Sequence, residues 1–274
     1  MRVEVLSDHG GQQLNQTAQQ LRGAEANLAA WHGSYQDAWQ NLQASRRAKP
    51  FWKRMFGVST TDERQALARV QGTWQGVVQA DYGRQQIDGR MHQQAAGVHG
   101  EDILVWGLSG LDDSWVMLRG YRNRRGETDH VLVGPQGVWA VEVKRRRVRL
   151  YVDGDQWWYE KLSARGHVVA REWAVDGGGR TWGRQVTDVA ADLAAWLARN
   201  GYEVPVHTAV MLMHEQALLG SCDNLTVSVI GTHPAHLVEA IGQYASPLSE
   251  QACQEIVALV CRDHRFHNRR RASP

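Results

Sequence analysis

The 274-residue chain carries 31 Lys and Arg against 29 Asp and Glu, a formal net charge of +2, and 43% hydrophobic residues. That apolar content excludes wholesale disorder, and the length allows one ordinary core with an appendage or two small domains. Three cysteines, Cys222, Cys253 and Cys261, with no close pair exclude a disulfide framework and fit a reducing compartment.

The apolar patch near the N-terminus is too short for a signal peptide. No run approaches the roughly 18 apolar residues of a transmembrane helix. A cytoplasmic protein is therefore expected. Residues 10–98 are rich in Gln and Ala, a helix-forming composition. Leu14, Leu21, Leu28, Tyr35 and Leu42 recur every seven residues, with Ala24, Trp31 and Ala38 between them. This heptad seam predicts a helical hairpin or an intermolecular coiled coil, the latter allowing a homo-oligomer. Leu67, Val70, Trp74, Val77, Met91, Ala95 and Val98 mark a second helix. Between the two, Pro50 and Gly57 break the pattern. The basic-aromatic segment from Phe51 to Phe56 is expected to pack its rings on the helix ends. Contact with an anionic membrane or with nucleic acid is the lesser reading.

From about residue 101 the texture changes. Segments 115–121, 129–133, 138–144, 148–152 and 156–161 are short, β-branched or aromatic, and separated by Gly-rich turns, as strands should be. Residues 167–183 read as a loop around Gly177, Gly178 and Gly179. A helix follows over 184–199, then a continuously apolar strand over 206–213, a strand over 225–230, and helices near 234–243 and 249–263. This order predicts an α/β fold, a mixed sheet flanked by helices. Three regions result: a helical region over 1–98, an α/β domain over 99–264 and a frayed basic tail over 265–274. The 12 Trp residues are mostly expected to fill the core.

The chemistry-bearing stretch is 126–144. Two strands joined by the tight turn Gly134-Pro135-Gln136-Gly137 form a hairpin. Asp129 opens the first strand. Glu142 and Lys144, two apart on the second, project from one face, while Val141 and Val143 project from the other. An acid and a lysine on an otherwise apolar strand are costly to bury without a purpose. Phosphodiester hydrolysis supplies one. Asp129 and Glu142 offer oxygen ligands to a hard cation, Mg or Mn. Lys144 can orient a water or neutralise charge on the phosphorane. An E-x-K triplet alone is a weak motif. The preceding Asp and the Gly-rich turn strengthen it.

At these residues the chain resembles the nuclease-related domain (NERD) family of the PD-(D/E)xK restriction-endonuclease-like superfamily, from about residue 100 to 230. The resemblance rests on Gly100-Glu101, on Glu127 to His130, on Gly137 to Lys144 and on a later helix bearing Gln185. It implies a restriction-endonuclease-like fold and DNA processing. It also implies that Glu101 joins Asp129 and Glu142 at the metal, that Lys144 is the catalytic lysine and that Gln185 faces the site. Thr128 stands where the family usually has an aliphatic residue, and no Pro precedes the Gln185 helix.

Arg145, Arg146 and Arg147, with Arg124 and Arg125 on the preceding loop, are candidates to grip a nucleic-acid backbone. Cys261, His264 and His267 have no fourth ligand at zinc spacing. The expected function is a divalent-metal-dependent nuclease acting on DNA. The alternatives are a nuclease fold used only to bind nucleic acid and a coiled-coil interaction protein.

Overall fold

Helix-forming composition gives long helices in the N-terminal third. In the computed structural model, which describes residues 1–272, α1 runs His9–Arg47, α2 spans Phe51–Met55 and α3 runs Thr61–Gly107. Ser273 and Pro274, the end of the expected basic tail, lie outside the described residues. The chain divides into two compact units, residues 11–95 and a larger one made of residues 1–10 and everything from Ala96 onward.

In the helical unit the seven-residue seam is the inward stripe. Leu21, Ala38 and Leu42 are buried, and Leu14, Leu28 and Tyr35 are half-buried. Ala38 and Leu42 pack on Ala66 and Val70 of α3. The Tyr35 ring lies 5.4 Å from that of Trp74. The seam therefore closes within the chain, as a hairpin. Leu67 and Trp74, expected on the apolar face of α3, are exposed, because the close helix approach selects Ala66, Val70 and Val77. The aromatics of the 51–56 connection do not pack on the helix ends; they point outward. Among the described residues no helix is long and apolar enough to cross a membrane.

The larger unit is of the α/β class. Its strands are β1 (Arg2–Val5), β2 (Val116–Asn123), β3 (Gly126–Gly134), β4 (Gly137–Lys144), β5 (Val148–Asp153), β6 (Gln156–Leu162), β7 (Val168–Trp173), β8 (Val206–Leu212), β9 (Leu218–Asp223) and β10 (Val229–Gly231). Three helices join them, α4 (Trp182–Arg199), α5 (Pro234–Gln243) and α6 (Glu250–Ala272). One sheet has the order β1-β2-β3-β4-β8-β10, the other β7-β6-β5-β9. In the larger sheet β2, β3 and β4 form an antiparallel meander, and β1, β8 and β10 add parallel. Ala209, Val210, Met211 and Leu212 of β8 are fully buried, as a central strand requires.

Several elements differ from expectation. The N-terminal residues, read only as an apolar patch, form edge strand β1. Residues 168–173, read as loop, form the edge strand β7, whose side chains are almost all exposed and so lack the alternation that marks a half-buried strand. β9 was not anticipated for the same reason. The strand expected over 225–230 shrinks to β10. Helix α6 does not stop near 263 but carries the basic stretch on to Ala272.

Two features of the sheet position the site. Val138 of β4 and Val131 and Val133 of β3 face α4, packing with Val189, Leu193 and Leu197. Trp139, Val141 and Val143 face the other way, into a cluster with Leu104 and Leu108 of α3 and Leu237 of α5.

Candidate active site

The site lies where the sheet forks. β3 and β4 pair from Gly134↔Gly137 to His130↔Val141, and the ladder ends there. Beyond that point β4 continues alongside β8, with Glu142↔Val210 and Lys144↔Leu212, while β3 continues alongside β2. Asp129 stands at the fork. Its Oδ2 accepts a 2.6 Å hydrogen bond from the Val143 amide, so a carboxylate takes the place of the missing ladder carbonyl. On the other side, Arg119 pairs with His130 and Tyr121 with Thr128, leaving Gly120 and Asp129 unpaired between them. Gly120 has φ of 72°, and a Cβ there would meet the Ser7 carbonyl oxygen at 2.2 Å, so only glycine serves.

Alternation on β4 puts Glu142 and Lys144 on the face that α4 covers, as expected. Lys144 Nζ donates to Glu142 Oε1. It also lies 3.5 Å from Gln185 Oε1, and 5.8 Å from the ring centroid of Trp182, both on the first turns of α4. Thr181 caps that helix, its side chain accepting from the Arg184 amide at 3.2 Å. Glu142 is 2% exposed, and its Oε2 has no hydrogen-bond partner among the described residues. A buried carboxylate oxygen left without a donor is costly.

Glu101 arrives from α3. Arg119 clamps it, with Nη2 3.1 Å from Glu101 Oε2 and Nη1 3.2 Å from Asp102 Oδ1. The structure thus brings Glu142, Lys144 and Gln185 into direct contact, with Asp129 on the adjacent strand, whereas Glu101 is engaged by an arginine. Among the described residues no group of three or more His, Cys, Asp or Glu side chains is gathered to hold a metal ion.

The acids sit under electrostatic pressure. Burial, then the Asp129 charge, pushes the Glu142 carboxyl up to about 8, against the opposing pull of Lys144 and Gln185. Burial raises Asp129 as well, opposed by Lys144 and the Val143 amide. Burial and the Asp129 charge lift Glu101 to about 7, with Arg119 opposing. Burial disfavours a charged Lys144, but Glu142 and Asp129 outweigh it and its pKa rises. Two positive charges, Lys144 and Arg119, do not offset the burial of these three carboxylates. Added positive charge from a cation of oxygen preference suits the donor set, since Mg²⁺ is commonly held by one or two carboxylates with water and phosphate oxygens completing its shell.

Residues 96–213 match the family model of the nuclease-related domain, NERD. This stretch is similar to the nuclease-related domain. Neither a curated protein nor a solved structure matches the chain. The match begins where the α/β unit resumes at Ala96, and it contains every candidate site residue from Glu101 to Gln185. The restriction-endonuclease-like superfamily label is consistent with it, and it points to a nuclease-related function and a nucleic-acid partner in broad terms.

Within this stretch the arginines are not equivalent. Arg145 lies 3.5 Å from Glu215, Arg147 is half-buried, and Arg146 is exposed, 3.1 Å from the Tyr159 hydroxyl and 5.7 Å from the Trp182 ring centroid. Arg124 pairs with Asp192 at 2.5 Å, and the Arg125 carbonyl accepts from Arg180 at 2.8 Å. Sequence reasoning missed two site residues. Trp182 fell in a presumed loop, although Thr181 is a good N-cap that could have moved the helix start forward. The other is Arg119, whose guanidinium clamps Glu101.

Gly100 has a steric reason to stand before Glu101. A Cβ there would meet Arg145 Cβ at 2.8 Å, so its absence lets α3 pass against the end of β4. Gly100→Ala is expected to destabilise the fold by about 1–3 kcal/mol, an overpacking cost, measured by urea denaturation. An unchanged midpoint would show that α3 and β4 can part without loss.

Proposed function

We propose that the chain is a divalent-metal-dependent nuclease that hydrolyses phosphodiester bonds in DNA. The observation that carries this reading is the buried Glu142 at the sheet fork, paired to Lys144 through one oxygen, unpartnered at the other and next to Asp129. Glu142 and Asp129 are the residues that would hold the ion, with Glu101 available if it leaves Arg119. A divalent cation there supplies positive charge to the scissile phosphate and acidifies the attacking water. Lys144 has its ammonium at the mouth of the same site and can donate to the phosphate oxygens as their charge grows. Gln185 holds that ammonium in place through its side-chain oxygen. The Trp182 ring lies beside the same ammonium, its centroid 5.8 Å from it. Arg146, and behind it Arg145 and Arg147, can seat the adjoining phosphates.

The direct test is cleavage of supercoiled plasmid and of single-stranded circles by purified protein with Mg²⁺ or Mn²⁺, with and without chelator. Cation-dependent nicking that disappears in Asp129→Asn is the expected result. DNA binding without cleavage under every cation would replace the nuclease with a binding module. A second measurement addresses the arginines. Changing Arg145, Arg146 and Arg147 together to Ala is expected to weaken DNA binding and reduce the slope of log affinity against log salt by about two to three. An unchanged slope would mean that none of the three meets a phosphate.

A further inference from the structure

The connection between α1 and α3 exposes apolar surface that no part of the nuclease reading uses. Five of the eight residues from 51 to 58 are large and apolar, and all are exposed: Phe51 by 80%, Trp52 by 55%, Met55 by 65%, Phe56 by 68% and Val58 by 47%. None of them joins any of the buried clusters. The same connection is one-sided in charge. Arg46 and Arg47 end α1, Lys49, Lys53 and Arg54 follow in the connection, and no acidic residue occurs between Asp37 and Asp62. Glu63 engages two of these cations, Lys49 at 3.0 Å and Arg46 at 3.4 Å. Among the described residues no carboxylate pairs with Arg47, Lys53 or Arg54. Lys53 instead sits 5.1 Å from the Trp52 ring centroid.

We propose that this hairpin tip docks on an anionic lipid bilayer. Exposed apolar clusters of this kind mark interaction sites rather than ordinary surface. Trp and Phe beside Lys and Arg are the side chains that suit the boundary between acyl chains and negatively charged headgroups. The charge complementarity selects an anionic surface, to which each nearby cation adds attraction. The tip has its rings pointing outward from a five-residue helix, α2. A single nucleic-acid strand is instead bound by rings that line a basic groove. The arrangement therefore fits insertion of Phe51, Trp52, Met55 and Phe56 below the headgroups, with the cations held among the phosphates. This proposal is independent of the chemistry at Glu142.

The experiment is co-sedimentation of the full chain with vesicles of phosphatidylcholine alone or with about 30% phosphatidylserine. Binding is expected on the anionic vesicles, weaker by about tenfold or more on neutral ones and at high salt. Phe51→Ser with Phe56→Ser, and separately Lys53→Glu with Arg54→Glu, should each lower binding by about tenfold or more. These positions are on the surface, and circular dichroism checks that the helices persist. Wild-type protein that stays in the supernatant, or variants that sediment like wild type, would overturn the proposal. Loss of oligonucleotide affinity in both variants, with vesicle binding unchanged, would assign the tip to nucleic acid. A fall in mass by light scattering, again with vesicle binding unchanged, would assign it to a second copy of the chain.

Discussion

Lys144→Met is expected to slow DNA cleavage by on the order of a hundredfold or more while divalent-ion binding survives. The lysine supplies no oxygen ligand. Its ammonium bonds Glu142 and lies near Gln185, so removing it deletes positive charge beside the reacting phosphate without opening the fork. Methionine preserves the stem that runs toward the Trp182 ring. The loss of Lys144 also removes a competitor for Glu142, so ion affinity at alkaline pH should hold or rise. Asp129→Asn and Glu142→Gln should behave oppositely, losing ion binding and cleavage together, because each removes an anionic ligand. Metal titration beside single-turnover cleavage separates the two patterns. Cleavage by Lys144→Met at the wild-type rate would remove the lysine from the mechanism.

Without divalent cation, the folded protein should lose stability as pH rises from about 5 to about 8. The sign follows from the carboxyls. Glu142 is lifted from 4.5 to about 8 and Glu101 from 4.5 to about 7, with Asp129 raised as well. The folded chain therefore holds protons that the unfolded chain has released. This source of stability is fully present below the unfolded values and is lost as pH climbs through the folded ones. A divalent cation binds the deprotonated acids and reverses the loss. The rise in melting temperature on adding Mg²⁺ or Mn²⁺ should therefore be small at pH 6 and larger at pH 8. Each displaced proton strengthens apparent affinity by about tenfold per pH unit within that window. Glu142→Gln should flatten both dependences. Equal metal-induced shifts at the two pH values would show that these acids do not exchange protons for a cation.

Much of this architecture was legible where local pattern and tertiary environment agree. The seven-residue seam of α1 became the buried stripe, and the continuous apolar run of β8 became a central strand. The two-residue spacing of Glu142 and Lys144 put both on one face. What stayed hidden depends on pairing between distant segments. Strand β1 is four residues long and exists because β2 lies beside it. β7 is an edge strand with too little burial to show alternation. Helix α3 runs unbroken from Thr61 to Gly107, so no breaker marked the change near Ala96, and the helical position of Glu101 came from the family resemblance alone. The fork itself was invisible. Asp129 does not open a strand; it lies within β3, where its carboxylate bonds the backbone of β4. The clamp of Arg119 on Glu101 spans 18 residues and carries no sequence signature.

The most direct test is calorimetric titration of Mn²⁺ into wild type and Glu142→Gln at pH 8, with DNA present under conditions that prevent turnover. The expected result is saturable binding by wild type, accompanied by proton release, and its loss in the variant. Wild-type protein that binds no divalent ion even on DNA, or a variant that binds as wild type does, would contradict a cation held at the fork by Asp129 and Glu142.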